Sequence, residues 1–325
     1  MSDSDWKPSA GIDVLRGRAA MLARVRAHFA AQEVLEVQTP LLSAAAASDP
    51  QIESIAARPA SGETRFLHTS PEYAMKRLLV AGFGDCYQVC PVFRDGEAGR
   101  LHNPEFTMIE WYRLDFGVAE LQQDVDRLFR AACGELRSFA PSRMLTWREA
   151  IVECCGIDPR DADIAELRAA LAARGIKPSN AGGWDRDDWL DLLMGALVGP
   201  GLGHDTPLFV RDYPESQASL ARLRALPDGT RVAERFELYV DGLELANGFR
   251  ELGDVLEQRR RFAQDQETRR RRAQPENPLD ERLLAALEHG LPDCAGVALG
   301  FDRLVMAAFR LPSLEAAMAF PAGRA

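Results

Sequence analysis

The sequence predicts an α+β domain in which helices flank an antiparallel β-sheet. Strand-like segments occur in groups separated by helical segments, without the regular β-α-β alternation that indicates a parallel sheet. The segments 234–240 and 243–248 flank Asp241-Gly242, a turn sequence that joins neighbouring antiparallel strands. We expect one domain over residues 1–325, with a helical insertion at approximately 141–206.

The first elements follow from local patterns. Apolar residues recur at helical spacing from 14 to 31 and predict a helix, which leads into a strand at 34–37 that Thr39-Pro40 ends. Ser70 and Pro71 have the side chains favoured at the start of a helix, and that helix runs to about residue 80. The later elements are predicted as strands at 86–93, 106–112 and 207–211, and helices at 121–139, 253–272 and 281–288, before a glycine-rich strand and a last helix.

Composition restricts the class of protein. In 325 residues, hydrophobic residues make up 46% and charged residues 27%, as in globular proteins with a sizeable core. The polar, acidic amino terminus and the absence of a long apolar run predict neither a signal peptide nor a membrane span. The six cysteines have no metal-type spacing, so we expect reduced thiols and a cytoplasmic protein.

The net charge of −10 is unusual for a protein that binds nucleic acid, because such proteins need a basic face for the phosphates. One arginine-rich segment, 259–272, could supply that face. Because glutamate and glutamine are mixed with its arginines, we interpret it as a solvated helix face.

Two distant segments have the residues for activating an amino acid with ATP. Arg94 and Arg303 offer guanidinium groups, which bind phosphate oxygens in pairs and stay charged when desolvated. Glu237 and Glu244, on the two strands of the predicted hairpin, offer hard carboxylates that suit Mg²⁺. As an exposed cross-strand pair they would repel each other, which favours a cation between them.

These residues resemble motifs 2 and 3 of class II aminoacyl-tRNA synthetases of the lysine-activating kind, and the first helix and strand resemble motif 1, which forms the dimer interface there. The resemblance implies that Arg94 binds the α-phosphate, Arg303 the γ-phosphate, and that Phe106 stacks on adenine. It places the following residues at ATP: Arg94, Gly96, Glu97, His102, Asn103, Phe106, Glu237, Glu244, Leu245, Gly300 and Arg303. Glu237 and Glu244 are the implied Mg²⁺ ligands.

The resemblance also implies a lysine pocket. Its implied residues are Ser70, Glu72, Glu110, Tyr112, Asn247, Phe249, Glu251 and Ala298. We expect Glu251 to bind the ε-ammonium, Glu72 the other amine and Asn247 the substrate carboxylate, with an apolar wall for the aliphatic stem.

The chain is most similar to a free-standing catalytic core, because only about a dozen residues precede the first helix and a lysyl-tRNA synthetase would have an anticodon-binding domain there. That organisation is typical of the elongation factor P (R)-β-lysine ligase family. Ser70 stands where the tRNA enzymes tend to have alanine, and Ala298 where they have glycine. Where the family reads Asn-Glu after Arg94, this chain has Asp95-Gly96, so Glu97 or a backbone group would have to contact adenine.

We therefore expect a cytoplasmic, homodimeric ligase that adenylates (R)-β-lysine and transfers it to a lysine of elongation factor P, with ATP and Mg²⁺ and without tRNA or membrane. Two alternatives are open. One is a truncated lysyl-tRNA synthetase, and the other is a non-catalytic module that binds lysine and ATP.

Overall fold

The protein divides into two compact units in a computed structural model that describes residues 6–60, 62–179, 181–204 and 206–325. The first unit contains residues 1–138 and 250–325, and the second contains residues 139–249. The predicted single domain over 1–325 stays a prediction, and its insertion at 141–206 lies within the second unit. None of the helices in the described ranges has the length and apolar character needed to cross a membrane.

The first unit begins with helix α1 and ends with helix α9. Its helices are α1 (Ile12–Ala30), α2 (Glu72–Val80), α3 (Val118–Cys133), α7 (Val255–Arg271), α8 (Glu281–His289) and α9 (Phe301–Phe309). Its strands are β1 (Leu35–Glu36), β2 (Leu42–Ser43), β3 (Ala56–Ala57), β4 (Arg65–Leu67), β5 (Cys86–Phe93), β6 (Glu105–Leu114) and β12 (Cys294–Gly300).

The main sheet of this unit has the order β1-β5-β6-β12. Strand β1 is parallel to β5, whereas β5 with β6 and β6 with β12 are antiparallel. A small antiparallel sheet has the order β2-β4-β3. The buried face of α1 includes Phe29, whose ring stacks on Tyr87 with 4.1 Å between the centroids. Apolar packing between a helix and the sheet therefore anchors the strands that hold motif 2.

The second unit contains the strands β7 (Arg143–Thr146), β8 (Leu208–Pro214), β9 (Leu223–Ala225), β10 (Arg231–Val240) and β11 (Leu243–Arg250). Its helices are α4 (Trp147–Cys155), α5 (Ile164–Ala173) and α6 (Arg186–Leu193). The strands lie in the order β11-β10-β8-β7, with β9 beside β10. Among the strand pairs described for this unit, β7 with β8 is parallel and the others are antiparallel. Antiparallel pairing thus dominates both units, and the predicted α+β class is confirmed.

Strands β10 and β11 form the hairpin that the sequence predicts. Asp241 and Gly242 have φ of 52° and 74°, as the turns favoured in two-residue hairpins require. The prediction that segment 259–272 is a solvated helix face is correct for Arg259 and Arg260, which pair with glutamates at the surface. It is wrong for Arg261 and for Arg269, and the side chain of Arg269 is fully buried. Its guanidinium donates to the carbonyl oxygens of Ser48, Asp49 and Ile52 and pairs with Glu53, so it fastens the loop before β3.

Candidate active site

Arg94 directly follows β5, and its guanidinium lies over the ring of Phe106, 5.2 Å from the centroid. Its Nη1 lies 3.6 Å from Oε1 of Glu97. The backbone N–H of Arg94 donates to Pro104 O at 2.9 Å, which closes the loop between β5 and β6. The first unit therefore brings together the arginine expected at the α-phosphate, the ring expected at adenine and the displaced glutamate.

Arg303, in the first turn of α9, reaches the same loop. Its Nη2 lies 2.9 Å from Nε2 of His102, and its Nε donates to Leu101 O at 3.4 Å. A guanidinium can only donate, so His102 accepts through an unprotonated Nε2. Burial and the nearby charge of Arg303 lower the pKa of His102 in agreement with this. The arginine of motif 3 and the loop of motif 2 are thus neighbours.

The side chain of Asn103 makes two contacts that the sequence did not predict. Its side chain is buried, and its Oδ1 accepts from the N–H of Ala322 at 2.9 Å. Its Nδ2 donates to Glu105 O at 2.5 Å. Both ends of the amide are therefore used to fasten the loop to the carboxyl-terminal segment. Gly96 has a φ of 74°, as glycine readily allows, and Gly300 directly precedes α9. Contacts of these residues with ATP stay predictions.

In the second unit, Glu237 is buried on β10 with both of its oxygens bonded. Oε1 accepts from Arg235 Nη2 at 2.7 Å, and Oε2 accepts from the hydroxyl of Tyr239 at 2.6 Å. The register pairs Glu237 with Asn247 and Tyr239 with Glu244, so the two glutamates are not direct cross-strand partners. The argument from their mutual repulsion is therefore wrong, since the register separates them and Arg235 neutralises Glu237.

Asn247, Leu245 and Phe249 lie on β11 of the same unit. Asn247 Oδ1 accepts from Arg235 Nε at 3.2 Å, which turns its Nδ2 donors away from that arginine. The side chain of Arg235 is 16% exposed and lies over the ring of Tyr213, 4.4 Å from the centroid. Leu245 is buried and Phe249 is half-buried against the core of this unit. Arg235, which the sequence reasoning missed, therefore orients both Glu237 and Asn247.

Three buried or nearly buried carboxylates of the first unit, Glu72, Glu110 and Glu251, form what we name the carboxylate cluster. Glu110 accepts from Ser70 Oγ at 2.6 Å and from Tyr112 Oη at 2.7 Å. Burial and the neighbouring Glu72 raise the pKa of Glu110 to about 7 in spite of these bonds. Burial likewise raises the pKa of Glu251 to about 8. The first unit thus brings together five of the residues predicted for the lysine pocket: Ser70, Glu72, Glu110, Tyr112 and Glu251.

The cluster also contains Lys76, which the sequence reasoning did not select. Its Nζ lies 2.6 Å from Oε1 of Glu72 and 2.5 Å from Oε2 of Glu251. Burial alone lowers the pKa of Lys76, but the two carboxylates outweigh it and the pKa is raised. One feature of the sequence could have pointed to Lys76. It lies four residues after Glu72, a spacing that places two side chains together on one face of a helix.

The glycine-rich strand β12 lies close to this cluster. A Cβ at Gly296 would overlap the ring of Tyr112 and lie 2.5 Å from Oε1 of Glu251. Only glycine fits there without movement of those side chains. Gly296 and Ala298 are two residues apart and lie on the same face of the strand. The methyl of Ala298 packs against Cys90, Val92 and Met108.

The comparisons with known proteins agree with this arrangement. A family profile described as tRNA synthetases class II (D, K and N) matches residues 6–324. A relative from Pectobacterium carotovorum, named elongation factor P–(R)-β-lysine ligase, is 44% identical over 99% of both chains. Relatives of the same name from Yersinia enterocolitica and Yersinia pestis are 46% identical over 99% of both chains. The protein belongs to the elongation factor P–(R)-β-lysine ligase family, within the class II tRNA synthetases.

Proposed function

We propose that this protein activates (R)-β-lysine with ATP and joins it to the ε-amine of a lysine of elongation factor P. Membership of the family makes the chain an ATP-dependent ligase. The observation that best supports the proposal is the carboxylate cluster, because buried carboxylates are costly unless cations compensate them. We take the amino acid and the protein substrate from the names of the relatives, which state (R)-β-lysine and elongation factor P.

In the first step, a carboxylate oxygen of the amino acid attacks the α-phosphorus of ATP. The bond from that phosphorus to the bridging oxygen breaks, and pyrophosphate leaves with the electron pair. The protein contributes position and charge neutralisation. Arg94 binds the α-phosphate and Arg303 the γ-phosphate, while Phe106 stacks on adenine. The contact between Arg94 and Phe106 supports a common site for these two.

In the second step, the uncharged ε-amine of the target lysine attacks the carbonyl carbon of the adenylate. A C–N bond forms, the C–O bond to the phosphate breaks and AMP leaves. The amine loses one proton to solvent, and the product is an amide. No covalent intermediate with the enzyme is required, because the mixed anhydride is already activated.

Glu237 and Glu244 would hold Mg²⁺, which would neutralise the polyphosphate charge. Hard carboxylate oxygens are the donors that this ion prefers. Each oxygen of Glu237 accepts one hydrogen bond and keeps a second lone pair, so its contacts with Arg235 and Tyr239 are compatible with a metal ligand. Arg235 then fixes the direction of this carboxylate.

For the amino acid, we assign Glu251 to the ε-ammonium and Glu72 to the other ammonium. Asn247 donates to the substrate carboxylate through Nδ2, since its Oδ1 is already bonded to Arg235. Tyr112 and Phe249 line the aliphatic stem. Ser70 positions Glu110, and Ala298 contributes to the choice between α- and β-amines.

We further propose a cytoplasmic homodimer that does not use tRNA. Strand β1 is at one end of the sheet of the first unit, and Leu35 on it is 49% exposed. Leu42 and Phe83 of the same unit are each 45% exposed. Large apolar side chains at an open sheet edge support an interface with a second copy.

The deciding experiment is mass spectrometry of purified elongation factor P after incubation with the protein, ATP and one lysine isomer at a time. We expect a gain of one lysyl unit on a single lysine, fastest with (R)-β-lysine. Omission of ATP and the Arg303→Ala variant are the controls that should give no gain. Charging of tRNA with no change in the factor would identify a lysyl-tRNA synthetase, and lysine binding without pyrophosphate exchange would identify a non-catalytic module.

A further inference from the structure

Lys76 is a lysine enclosed within the protein. Its side chain is 2% exposed, and it extends from the buried face of α2 beside Met75 and Leu79. Its Nζ contacts one carboxylate on the same helix, Glu72, and one from a distant part of the chain, Glu251. The ammonium group therefore fixes two carboxylates of the cluster at a single point.

When all three carboxylates of the cluster are ionised, its charges do not balance without a ligand. Among the described residues named in the cluster, Glu72, Glu110 and Glu251 could provide three negative charges and Lys76 one positive charge. Glu110 is bonded to the neutral hydroxyls of Ser70 and Tyr112. Tyr73, Tyr112, Cys86 and Cys90 also lie near these carboxylates; burial raises the pKa of each, and they stay uncharged. The cluster then has two excess negative charges, which a ligand with two ammonium groups would balance.

A buried ion pair that only stabilises the fold would need one carboxylate for one lysine. Additional buried carboxylates without cations would weaken the fold, since removing charge from water costs several kcal/mol per ion. The surplus of acid around a single lysine therefore indicates a ligand site and not a structural pair.

We propose that Lys76 is a positioning residue of the amino-acid site, whose fixed ammonium directs Glu72 and Glu251 toward a substrate with two ammonium groups and stabilises the charged form of the Glu251 carboxylate. This inference rests on the proposed function, in which those carboxylates bind the amines of a lysine isomer. Lys76 acts through the two glutamates and does not react itself.

The test compares Lys76→Met, which removes the charge at similar length, with Lys76→Arg, which keeps it. Lys177→Met, at an exposed position, is the matched control. The measurement is ATP–pyrophosphate exchange, giving KM and kcat for (R)-β-lysine and KM for ATP from pH 6.5 to 8.5, together with the thermal midpoint.

In the parent and in Lys177→Met, we expect KM for the amino acid to fall as pH rises, because Glu110 and Glu251 ionise. In Lys76→Met the whole curve should move to higher pH by about one unit, so that KM at pH 7 rises about tenfold. KM for ATP should not change. A purely structural role would lower the thermal midpoint and leave the pH dependence of KM where it was, which would overturn the proposal.

Lys76→Arg keeps the proposal testable if Lys76→Met does not fold. The arginine variant should keep the parent's pH dependence but raise KM severalfold, because a planar guanidinium cannot place its charge where Nζ lies. Parent values of KM at every pH would overturn the proposal. Absence of exchange in the parent with every lysine isomer would contradict the proposed function itself, whereas an unshifted curve in Lys76→Met beside an active parent contradicts only the role of Lys76.

Discussion

Arg18 and Asp302 form an ion pair inside the first unit, with Arg18 Nη1 2.6 Å from Asp302 Oδ1. Both residues also hold Thr107, whose Oγ1 accepts from Arg18 Nη2 at 2.8 Å and whose N–H donates to Asp302 Oδ2 at 2.6 Å. Thr107 follows Phe106, and Asp302 precedes Arg303. The pair therefore links α1, β6 and α9, and it fixes two of the expected ATP contacts relative to each other.

Replacing Arg18 with Met should destabilise the protein by about 3 kcal/mol, because it leaves the buried Asp302 without its cation. Urea unfolding measures the loss. Arg16→Met is the control, since the ion pair of Arg16 with Asp13 is exposed and should contribute little. Equal stability of the two variants would contradict the importance of the buried pair.

Arg303→Ala should lower the rate of pyrophosphate exchange at least a hundredfold while the thermal midpoint stays close to that of the parent. Arg303 is half-buried at the start of α9, so its replacement should remove the proposed phosphate ligand with little loss of core packing. Arg282→Ala, on the exposed face of α8, should exchange at the parent rate. An unchanged exchange rate together with a lower thermal midpoint would show that Arg303 stabilises the fold and is not needed for the reaction.

Glu251→Gln should raise KM for the amino acid about a hundredfold and leave KM for ATP nearly unchanged. The reason is the loss of a charge-assisted contact to a desolvated ammonium, on the order of 2–4 kcal/mol. Pyrophosphate exchange with each substrate varied in turn measures both constants, and Glu288→Gln at the surface is the control. A loss of ATP affinity with normal amino-acid affinity would show that Glu251 binds something else.

The stability of the ligand-free protein should fall as pH rises from 6 to 8.5. Burial raises the pKa of Glu110 to about 7 and that of Glu251 to about 8, both above the ordinary 4.5. Between the ordinary pKa of 4.5 and these raised values, the folded protein binds more protons than the unfolded chain. The free energy of unfolding therefore declines as pH rises through this range. Thermal unfolding with and without lysine measures this decline.

Lysine should reduce that decline, and its binding should release protons because its ammonium groups favour the ionised carboxylates. Calorimetry of lysine binding near pH 7, in buffers of different ionisation enthalpy, counts the protons. Proton uptake, or binding without any proton change, would contradict the raised pKa values of the cluster.

Ala298→Gly should raise activation of α-lysine relative to (R)-β-lysine by roughly tenfold, as one methyl of packing allows. Ala298 shares a face of β12 with Gly296, where a Cβ would meet Glu251 and Tyr112. Pyrophosphate exchange with both isomers gives the ratio. Ala295→Gly, on the opposite face, controls for the weakening of a strand by glycine. An unchanged ratio would remove Ala298 from the amino-acid site.

The sequence predicted elements well where local patterns determine them. Strand Cys86–Phe93 has the predicted bounds, and the hairpin turns at Asp241-Gly242. Strand β7 was missed within the expected helical insertion, because four residues acquire strand character only by pairing with β8. The residues of β7 alone do not indicate that they will pair with β8, which lies more than 60 residues further along the chain.

The same limit applies to the site. Motif spacing selected Arg94, Arg303 and the acidic residues as candidates, but it did not select the cations that pair with the acidic residues. Lys76 and Arg235 look like ordinary surface residues in the sequence, and their burial depends on contacts made by the folded chain. The side chain of Asn103 was expected at the nucleotide, yet a segment more than 200 positions away engages it.

Strand β12 completes the sheet of the first unit, and within the described residues it follows every other strand along the chain. During synthesis, β6 can pair with β5 early. Its other edge stays unpaired until the whole second unit and then β12 have been translated. The second unit is continuous in sequence, so it can fold before the first is finished. An open edge on a nascent chain is a template for aggregation. A premature stop before Cys294 would therefore remove both β12 and Arg303 and leave one edge of β6 unpaired, and we expect such fragments in inclusion bodies.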